Sequence, residues 1–193
     1  MPFFTECIPD QYSLFNQVIV PNHRAKRGFN EIDVIICGTN NIFIVEAKNH
    51  KGHITGHEND YQWDIYRVGR RGTPYTKKMY NPLKQVANQS YALKRHLESK
   101  GLFTSIIPIV VFTNPECSFE ISSSERLAYI LQVEDLIEYV LDYDSNHINH
   151  GMELVLSELI NLKNGSSNSQ IETKNQAVLN RIKQLSKRKN LQP

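Results

Sequence analysis

A short polar segment between two apolar runs is the feature that most constrains how this chain can fold. Residues 31–48 read EIDVIICGTNNIFIVEAK, and the turn-prone residues 38–41 (GTNN) separate the two runs. Apolar runs on either side of such a turn are typical of a β-hairpin. The sequence therefore predicts two antiparallel strands, each with its polar groups at the end far from the turn.

The centre of the turn sets the register of this hairpin. A symmetric turn within residues 38–41 pairs Ile36 with Phe43 and Ile35 with Ile44. Side chains alternate between the two faces of a strand. Every second residue of each strand is therefore expected to share one face.

The same register brings charged groups into opposition. It places Asp33 opposite Glu46 and predicts that Glu31, on the face of Asp33, lies opposite Lys48. Directly opposed side chains have Cβ atoms roughly 5 Å apart, and opposed like charges destabilise a sheet. Two carboxylates among Ile and Val side chains therefore predict a cation between them, and Mg²⁺ favours one or two carboxylates with water and phosphate oxygens. The alternative is a hairpin with one solvated face, on which Glu and Lys need no function.

Two motifs in this region resemble those of known nucleases. Asp33 followed by Glu46-Ala47-Lys48 resembles the D…(D/E)-x-K signature of the PD-(D/E)XK nuclease superfamily. A longer ordered series resembles the nuclease-related domain called NERD, over roughly residues 28 to 100. The series consists of residues 31–33 (EID), 45–49 (VEAKN), 51–52 (KG), Trp63 and 81–85 (NPLKQ).

The resemblance implies a metal-dependent nuclease that acts on DNA phosphodiesters. Asp33 and Glu46 would hold Mg²⁺ or Mn²⁺, and Lys48 would stabilise developing negative charge or position a water. Gln85 would orient a water or a phosphate oxygen from the helix after the lysine. Endonuclease or exonuclease activity, RNA as a substrate and a homodimer all stay open.

The chain departs from the family pattern at its N-terminus. NERD and related nucleases usually begin with a helix that contributes another acid, whereas here too few residues precede the first predicted strand. Glu6 has a poor sequence context, and Glu31 is the other candidate for an additional acid. Either the site works with fewer acids, or one of these two substitutes, or metal binding is weakened. The rival interpretation is a nucleic-acid-binding or scaffold module with a degenerate nuclease site.

Basic residues near the predicted site are candidate contacts to nucleic acid. Residues 67–78 combine cations with glycines and tyrosines and predict a mobile basic loop, as basic and aromatic side chains together suit a nucleic-acid backbone. A solvated loop is the alternative. The three histidines His50, His53 and His57 are expected to be exposed or to face phosphate rather than bind zinc, because Gly52 and Gly56 argue against the helix that would bring His53 and His57 together. The candidate contacts are Arg27, Lys51, Arg67, Arg70, Arg71, Lys77 and Lys78.

Composition sets the broad class of the protein. The net charge of +2 over 193 residues does not by itself indicate nucleic acid binding. Three unclustered cysteines favour reduced thiols in a cytoplasmic protein. The sequence has no apolar run near the roughly 18 residues of a membrane span, and its first residues do not resemble a secretory signal. No membrane association is therefore expected.

The remaining pattern predicts an α/β fold with a mixed central β-sheet flanked by helices. Asn81-Pro82 predicts a helix start, and residues 105–113 predict a buried strand. Residues 127–133 predict a further strand, with helices over 134–141 and 152–162. The resemblance implies a restriction-endonuclease-like PD-(D/E)XK core. The expected domains are a NERD-like nuclease domain over residues 1–163 and a flexible linker with a basic tail over 164–193, which would add salt-sensitive affinity for nucleic acid.

Overall fold

The predicted hairpin lies at the centre of the larger of two sheets. The computed structural model of the chain describes residues 9, 11–122, 128–146 and 150–165. Its elements in chain order are β1 (Ser13–Pro21), β2 (Phe29–Cys37), β3 (Asn41–Lys48), β4 (Gly52–His57), β5 (Gln62–Val68), β6 (Pro74–Tyr80), α1 (Pro82–Ser99), β7 (Ser105–Phe112), β8 (Cys117–Ser122), β9 (Tyr129–Gln132), α2 (Leu136–Ser145) and α3 (Met152–Gly165). The larger sheet has the order β1-β2-β3-β7-β9.

Helices cover both faces of the larger sheet. Val86 and Leu93 of α1 and Leu159 of α3 pack in one core cluster with alternate residues of β3, including Ile44. On the other face, Val140 of α2 packs in a second cluster with the intervening β3 residues. β7 pairs in parallel with β3 on one side and β9 on the other, as its apolar run indicates. The predicted α/β class, with a mixed sheet between helices, is confirmed.

A second sheet, with the order β6-β5-β4-β8, corrects the expected loop over residues 67–78. β5 and β6 form an antiparallel hairpin in which Arg67 pairs with Tyr75 and Ile65 pairs with Lys77. The predicted mobile loop therefore shrinks to the tip between the two strands, because residues 74–80 complete a ladder with β5. The sequence analysis did not predict β4 and β8, because polar and glycine residues interrupt the alternation of apolar residues in both strands.

The start of α1 follows the predicted capping pattern. Asn81 Oδ1 accepts hydrogen bonds from the backbone N–H groups of Leu83 and Lys84, at 2.9 and 3.4 Å, and Pro82 occupies the first helical position. The Asn81 side chain is fully buried, and its Nδ2 donates to the carbonyl oxygens of Glu58 and Asp60 at 2.9 and 2.8 Å. These bonds tie the first turn of α1 to the connection between β4 and β5.

The turn of the central hairpin is anchored by a residue from α2. The Asp144 carboxylate is fully buried and accepts hydrogen bonds from the backbone N–H groups of Thr39, Asn40 and Asn41, at 2.8, 3.1 and 2.9 Å. Thr39 Oγ1 and Asn41 Nδ2 donate to the same carboxylate at 2.7 and 3.0 Å. A Cβ on Gly38 would lie 2.7 Å from this carboxylate, so the close approach suits a glycine.

Two sequence predictions concern regions at the edge of the described chain. The basic tail of residues 164–193 lies outside the described residues except for its first two positions. Among the described helices, none combines the length and apolar character that crossing a membrane requires.

Candidate active site

The predicted register of the hairpin is correct near the turn, and the ladder of paired residues ends before it reaches the charged residues. Ile36 pairs with Phe43 and Ile35 with Ile44, and the β2–β3 ladder ends at the pair of residues 34 and 45. Asp33 instead points its carboxylate at the β3 backbone, where the N–H of Ala47 donates to Oδ2 at 3.2 Å. The backbone ladder therefore stops one residue short of Asp33 and Glu46, and their direct opposition stays a prediction.

A kink in the edge strand accounts for the change. Gln17 of β1 has φ 50°, in the left-handed region that non-glycine residues rarely adopt. Residues 16 and 18 pair with residues 34 and 32, which leaves Gln17 and Asp33 as a gap in that ladder. Beyond the gap Ile32 packs in the same core cluster as Ile35, although an uninterrupted strand would place them on opposite faces. The expectation that Glu31 and Ile35 share one face is therefore wrong.

Glu46 is a buried carboxylate with two side-chain donors. It is 1% exposed, and it lies on the face of β3 that packs against α1. Lys48 Nζ donates to its Oε1 at 2.6 Å, and Gln89 Nε2 donates to its Oε2 at 2.7 Å. Burial and then the negative charge of Asp33 raise the pKa of Glu46, and Lys48 and Gln89 only partly offset this. Asp33 is therefore close enough to Glu46 to disfavour the ionisation of the Glu46 carboxyl.

Lys48 joins the strand residues to the helix. Its ammonium group donates to Gln85 Oε1 at 2.9 Å as well as to Glu46. In the described part of the chain, Lys48 forms its ion pair with Glu46 and none with Glu31. These contacts bring Asp33, Glu46, Lys48 and Gln85 together.

Gln89 is a site residue that sequence analysis missed. Its side chain is buried, and its Nε2 bonds both Glu46 Oε2 and the carbonyl oxygen of Glu31, at 2.7 and 2.9 Å. Its Oε1 has no hydrogen-bond partner among the described residues. The signal that could have found it is helical spacing, because Gln89 follows Gln85 by one turn on the same face.

The donor set suits a hard divalent cation. In the described residues, no cluster of three or more His, Cys, Asp and Glu side chains is arranged to hold a metal. Asp33 and Glu46 supply carboxylate oxygens, and Mg²⁺ commonly takes one or two carboxylates and completes its shell with water and substrate phosphate. A cation between the two would also offset the repulsion that raises the pKa of Glu46. The pair therefore fits Mg²⁺ or Mn²⁺, and it does not form a closed all-protein cage.

The candidate nucleic-acid contacts separate into ion-paired and unpaired cations. Lys51 Nζ lies 2.6 Å from Glu116, and Lys78 Nζ lies 2.7 Å from Asp64. Arg67 instead approaches a histidine, with its Nη2 3.5 Å from His50 Nδ1. Across the described chain, the remaining candidates form no ion pair. They are Arg27, Arg70, Arg71 and Lys77, all exposed.

Comparison with known proteins gives one match. The family model described as nuclease-related domain, NERD, matches residues 3–113, which is 111 of the 193 residues. The match covers every site residue described above. No curated protein and no solved structure matches the chain.

Proposed function

Because the chain belongs to the nuclease-related domain family, NERD, we propose that it is a Mg²⁺- or Mn²⁺-dependent nuclease that hydrolyses DNA phosphodiester bonds. The observation that carries the proposal is the convergence of Asp33, Glu46 and Lys48 at the ends of two central strands. Lys48 Nζ is 2.6 Å from Glu46 and 2.9 Å from Gln85, and the negative charge of Asp33 acts on Glu46. Action on DNA and a cytoplasmic location are parts of this proposal.

Each of these residues would have a distinct task. Asp33 and Glu46 would hold the divalent cation, which when bound supplies a Lewis acid at the scissile phosphate and lowers the pKa of water. Lys48 would donate to a phosphate oxygen as negative charge develops. Gln85 accepts from Lys48 through Oε1, which leaves its Nε2 as a donor for a phosphate oxygen or the attacking water.

The direct test is cleavage of labelled DNA by the purified protein. Linear, circular and single-stranded substrates would each be incubated with Mg²⁺, Mn²⁺ or EDTA, and binding would be measured in parallel by fluorescence anisotropy. We expect cleavage with a divalent cation and none with EDTA. Circular DNA separates endonuclease from exonuclease activity.

A binding or scaffold module is the second candidate, and one observation favours it. Two carboxylates, rather than three, meet in the described part of the chain, and Glu6 lies outside the described residues. The absence of cleavage with every cation, together with equal DNA binding in EDTA, would establish this candidate in place of the nuclease.

Gln89 is expected to orient the metal-binding carboxylate. Gln89→Met keeps the length of the side chain but removes the donor to Glu46 Oε2. Since removing a residue that orients a metal ligand commonly costs about 10–100-fold in metal affinity or activity, we expect a loss in that range. Mn²⁺ affinity by calorimetry and single-turnover cleavage rates would measure it.

Asn88→Ala is the matched control for Gln89→Met. Asn88 is exposed on the same helix, one residue earlier. Equal losses in the two variants would show that Gln89 has no specific role at the carboxylate.

A further inference from the structure

The catalytic lysine lies at one end of a strip of cationic and imidazole groups. We define this strip as Lys48, His50, Arg67 and Lys77. His50 follows the end of β3 by two residues, and its Nδ1 lies 3.5 Å from Arg67 Nη2 of β5. Gly52, at φ 110°, allows the chain after His50 to pass close to β5, where a Cβ would lie 2.2 Å from the Tyr66 carbonyl oxygen and 3.0 Å from Arg67 Cγ.

Lys77 belongs to the strip because of the face of β6 that it occupies. It pairs with Ile65, which is buried in the core cluster beneath the second sheet. Directly opposed residues of an antiparallel pair share a face. The next residue, Lys78, therefore projects from the other face, where it pairs with Asp64 at 2.7 Å.

Two of the three cations of the strip have no carboxylate partner in the described chain, whereas Lys48 pairs with Glu46. Neither Arg67 nor Lys77 forms an ion pair with any described residue, and Arg67 Nε is buried without a hydrogen-bond partner in that part of the chain. Burial, followed by the charges of Arg67, Lys48 and Lys77, lowers the pKa of His50. The imidazole of His50 thus lies near two cations, Arg67 and Lys77, whose charge no described carboxylate balances, which is the electrostatic environment of an anion site.

We propose that His50, Arg67 and Lys77 bind a backbone phosphate of the nucleic acid, next to the phosphodiester that faces Lys48. Arg67 supplies a planar fork of N–H donors that suits phosphate oxygens. The neutral His50 accepts from Arg67 through Nδ1 and has Nε2–H as a donor. The bound nucleic-acid backbone would therefore run from Lys48 towards β6, the edge strand of the second sheet. The proposal deepens the nuclease function and rests on it for the identity of the ligand.

The test compares neighbouring lysines that face opposite sides of one strand. Affinity for a fluorescent DNA oligonucleotide would be measured by anisotropy in EDTA over a range of NaCl concentrations. Losing a phosphate contact lowers the slope of log affinity against log salt by about one. We expect this change, with severalfold weaker binding, for Lys77→Gln and Arg67→Gln. We expect no change in slope for the ion-paired control, Lys78→Gln.

Two results would overturn the proposal. An equal loss of slope in Lys77→Gln and Lys78→Gln would indicate a diffuse effect of charge, and an unchanged slope in Lys77→Gln would remove the subsite. Lys77 is exposed, so this variant keeps the test valid if Arg67→Gln does not fold. EDTA removes the divalent cation, so DNA binding is measured without cleavage of the DNA. A protein that cleaves nothing but shows the expected slopes would refute the nuclease and support the subsite.

Discussion

Asp33→Asn and Glu46→Gln are each expected to abolish metal-dependent cleavage of DNA. Each substitution removes one negative charge from the pair that would hold the cation while nearly keeping the shape of the side chain. Mg²⁺ and Mn²⁺ are hard cations that bind carboxylate oxygens, so a neutral amide in either position weakens the site. The decisive measurement is the single-turnover cleavage rate at saturating Mn²⁺, with metal affinity measured separately by calorimetry.

The same two variants should not lose stability in the absence of metal. Because burial and Asp33 raise the pKa of Glu46 above its usual 4.5, the folded protein binds this proton more tightly than the unfolded chain does. The resulting stabilisation is present below pH 4.5 and is lost as the pH rises through the raised pKa. Glu46→Gln should remove this dependence. Its amide oxygen can still accept from Lys48, and Gln89 can turn its Oε1, which has no partner among the described residues, towards the new NH₂ group. We therefore expect a thermal melting temperature in EDTA at neutral pH that equals or exceeds that of wild type.

Lys48→Ala distinguishes a catalytic role from a structural one. Loss of one preorganised electrostatic group typically costs about a hundredfold or more in rate, and we expect that loss with metal binding largely intact. Modest destabilisation with an unchanged cleavage rate would instead identify Lys48 as a structural partner of Glu46. Glu120→Gln, an exposed acid on β8, is the control and should match wild type in both measurements.

Asp144→Asn is expected to cause the largest loss of stability. Both oxygens of this buried carboxylate accept backbone N–H donors from the hairpin turn, so an amide must point its NH₂ group at donors. A buried polar group without a partner costs about 1–3 kcal/mol, and several are affected here. We expect about 3 kcal/mol or more, which for a chain of this size corresponds to roughly 6–12 °C in Tm.

The pH dependence of the Asp144 variant provides an internal check. Burial alone would raise the pKa of Asp144, but hydrogen bonds from Thr39, Asn41 and Tyr12 outweigh it and hold the pKa below its usual 3.8. The stabilisation is therefore present above pH 3.8 and is lost as the pH falls through the lowered pKa. The difference in unfolding free energy between wild type and Asp144→Asn should shrink in that acidic range.

Asp142→Asn is the matched control, since this acid is exposed on the same helix. Equal melting temperatures for Asp144→Asn and wild type would contradict an anchoring role for the carboxylate. The anchor lies at the turn end of the hairpin, far along both strands from Asp33 and Glu46. Its loss should therefore affect activity through folding, with normal cleavage rates for the molecules that stay folded.

Local chemistry was sufficient to predict much of the scaffold. The turn over residues 38–41 and the apolar runs beside it predicted the hairpin and the Ile35–Ile44 pair correctly. Asn81-Pro82 predicted the start of α1 because capping depends on residues adjacent in sequence. The ordered motif series predicted the family match over residues 3–113.

Contacts between distant segments decided the rest. The kink at Gln17 lies in β1, which is outside the hairpin, so the end of the ladder at Asp33 was not visible in the sequence of the hairpin itself. The second sheet was missed because the paired residues of β4 and β8 are 65 positions apart in the chain, and neither strand has a strong apolar period of its own.

The sequence by itself determined the hairpin, the order of the motif residues and the helix that carries Gln85. These follow from turn chemistry, side-chain alternation and capping, which act within a few residues. Only the tertiary structure decided that Gln89 donates a hydrogen bond to Glu46, and that Lys77 faces the core side while Lys78 pairs with Asp64. The spacing of apolar residues along the sequence predicts which face of an element a residue occupies. The residue that contacts it on that face belongs to another part of the chain, so the sequence pattern does not identify it.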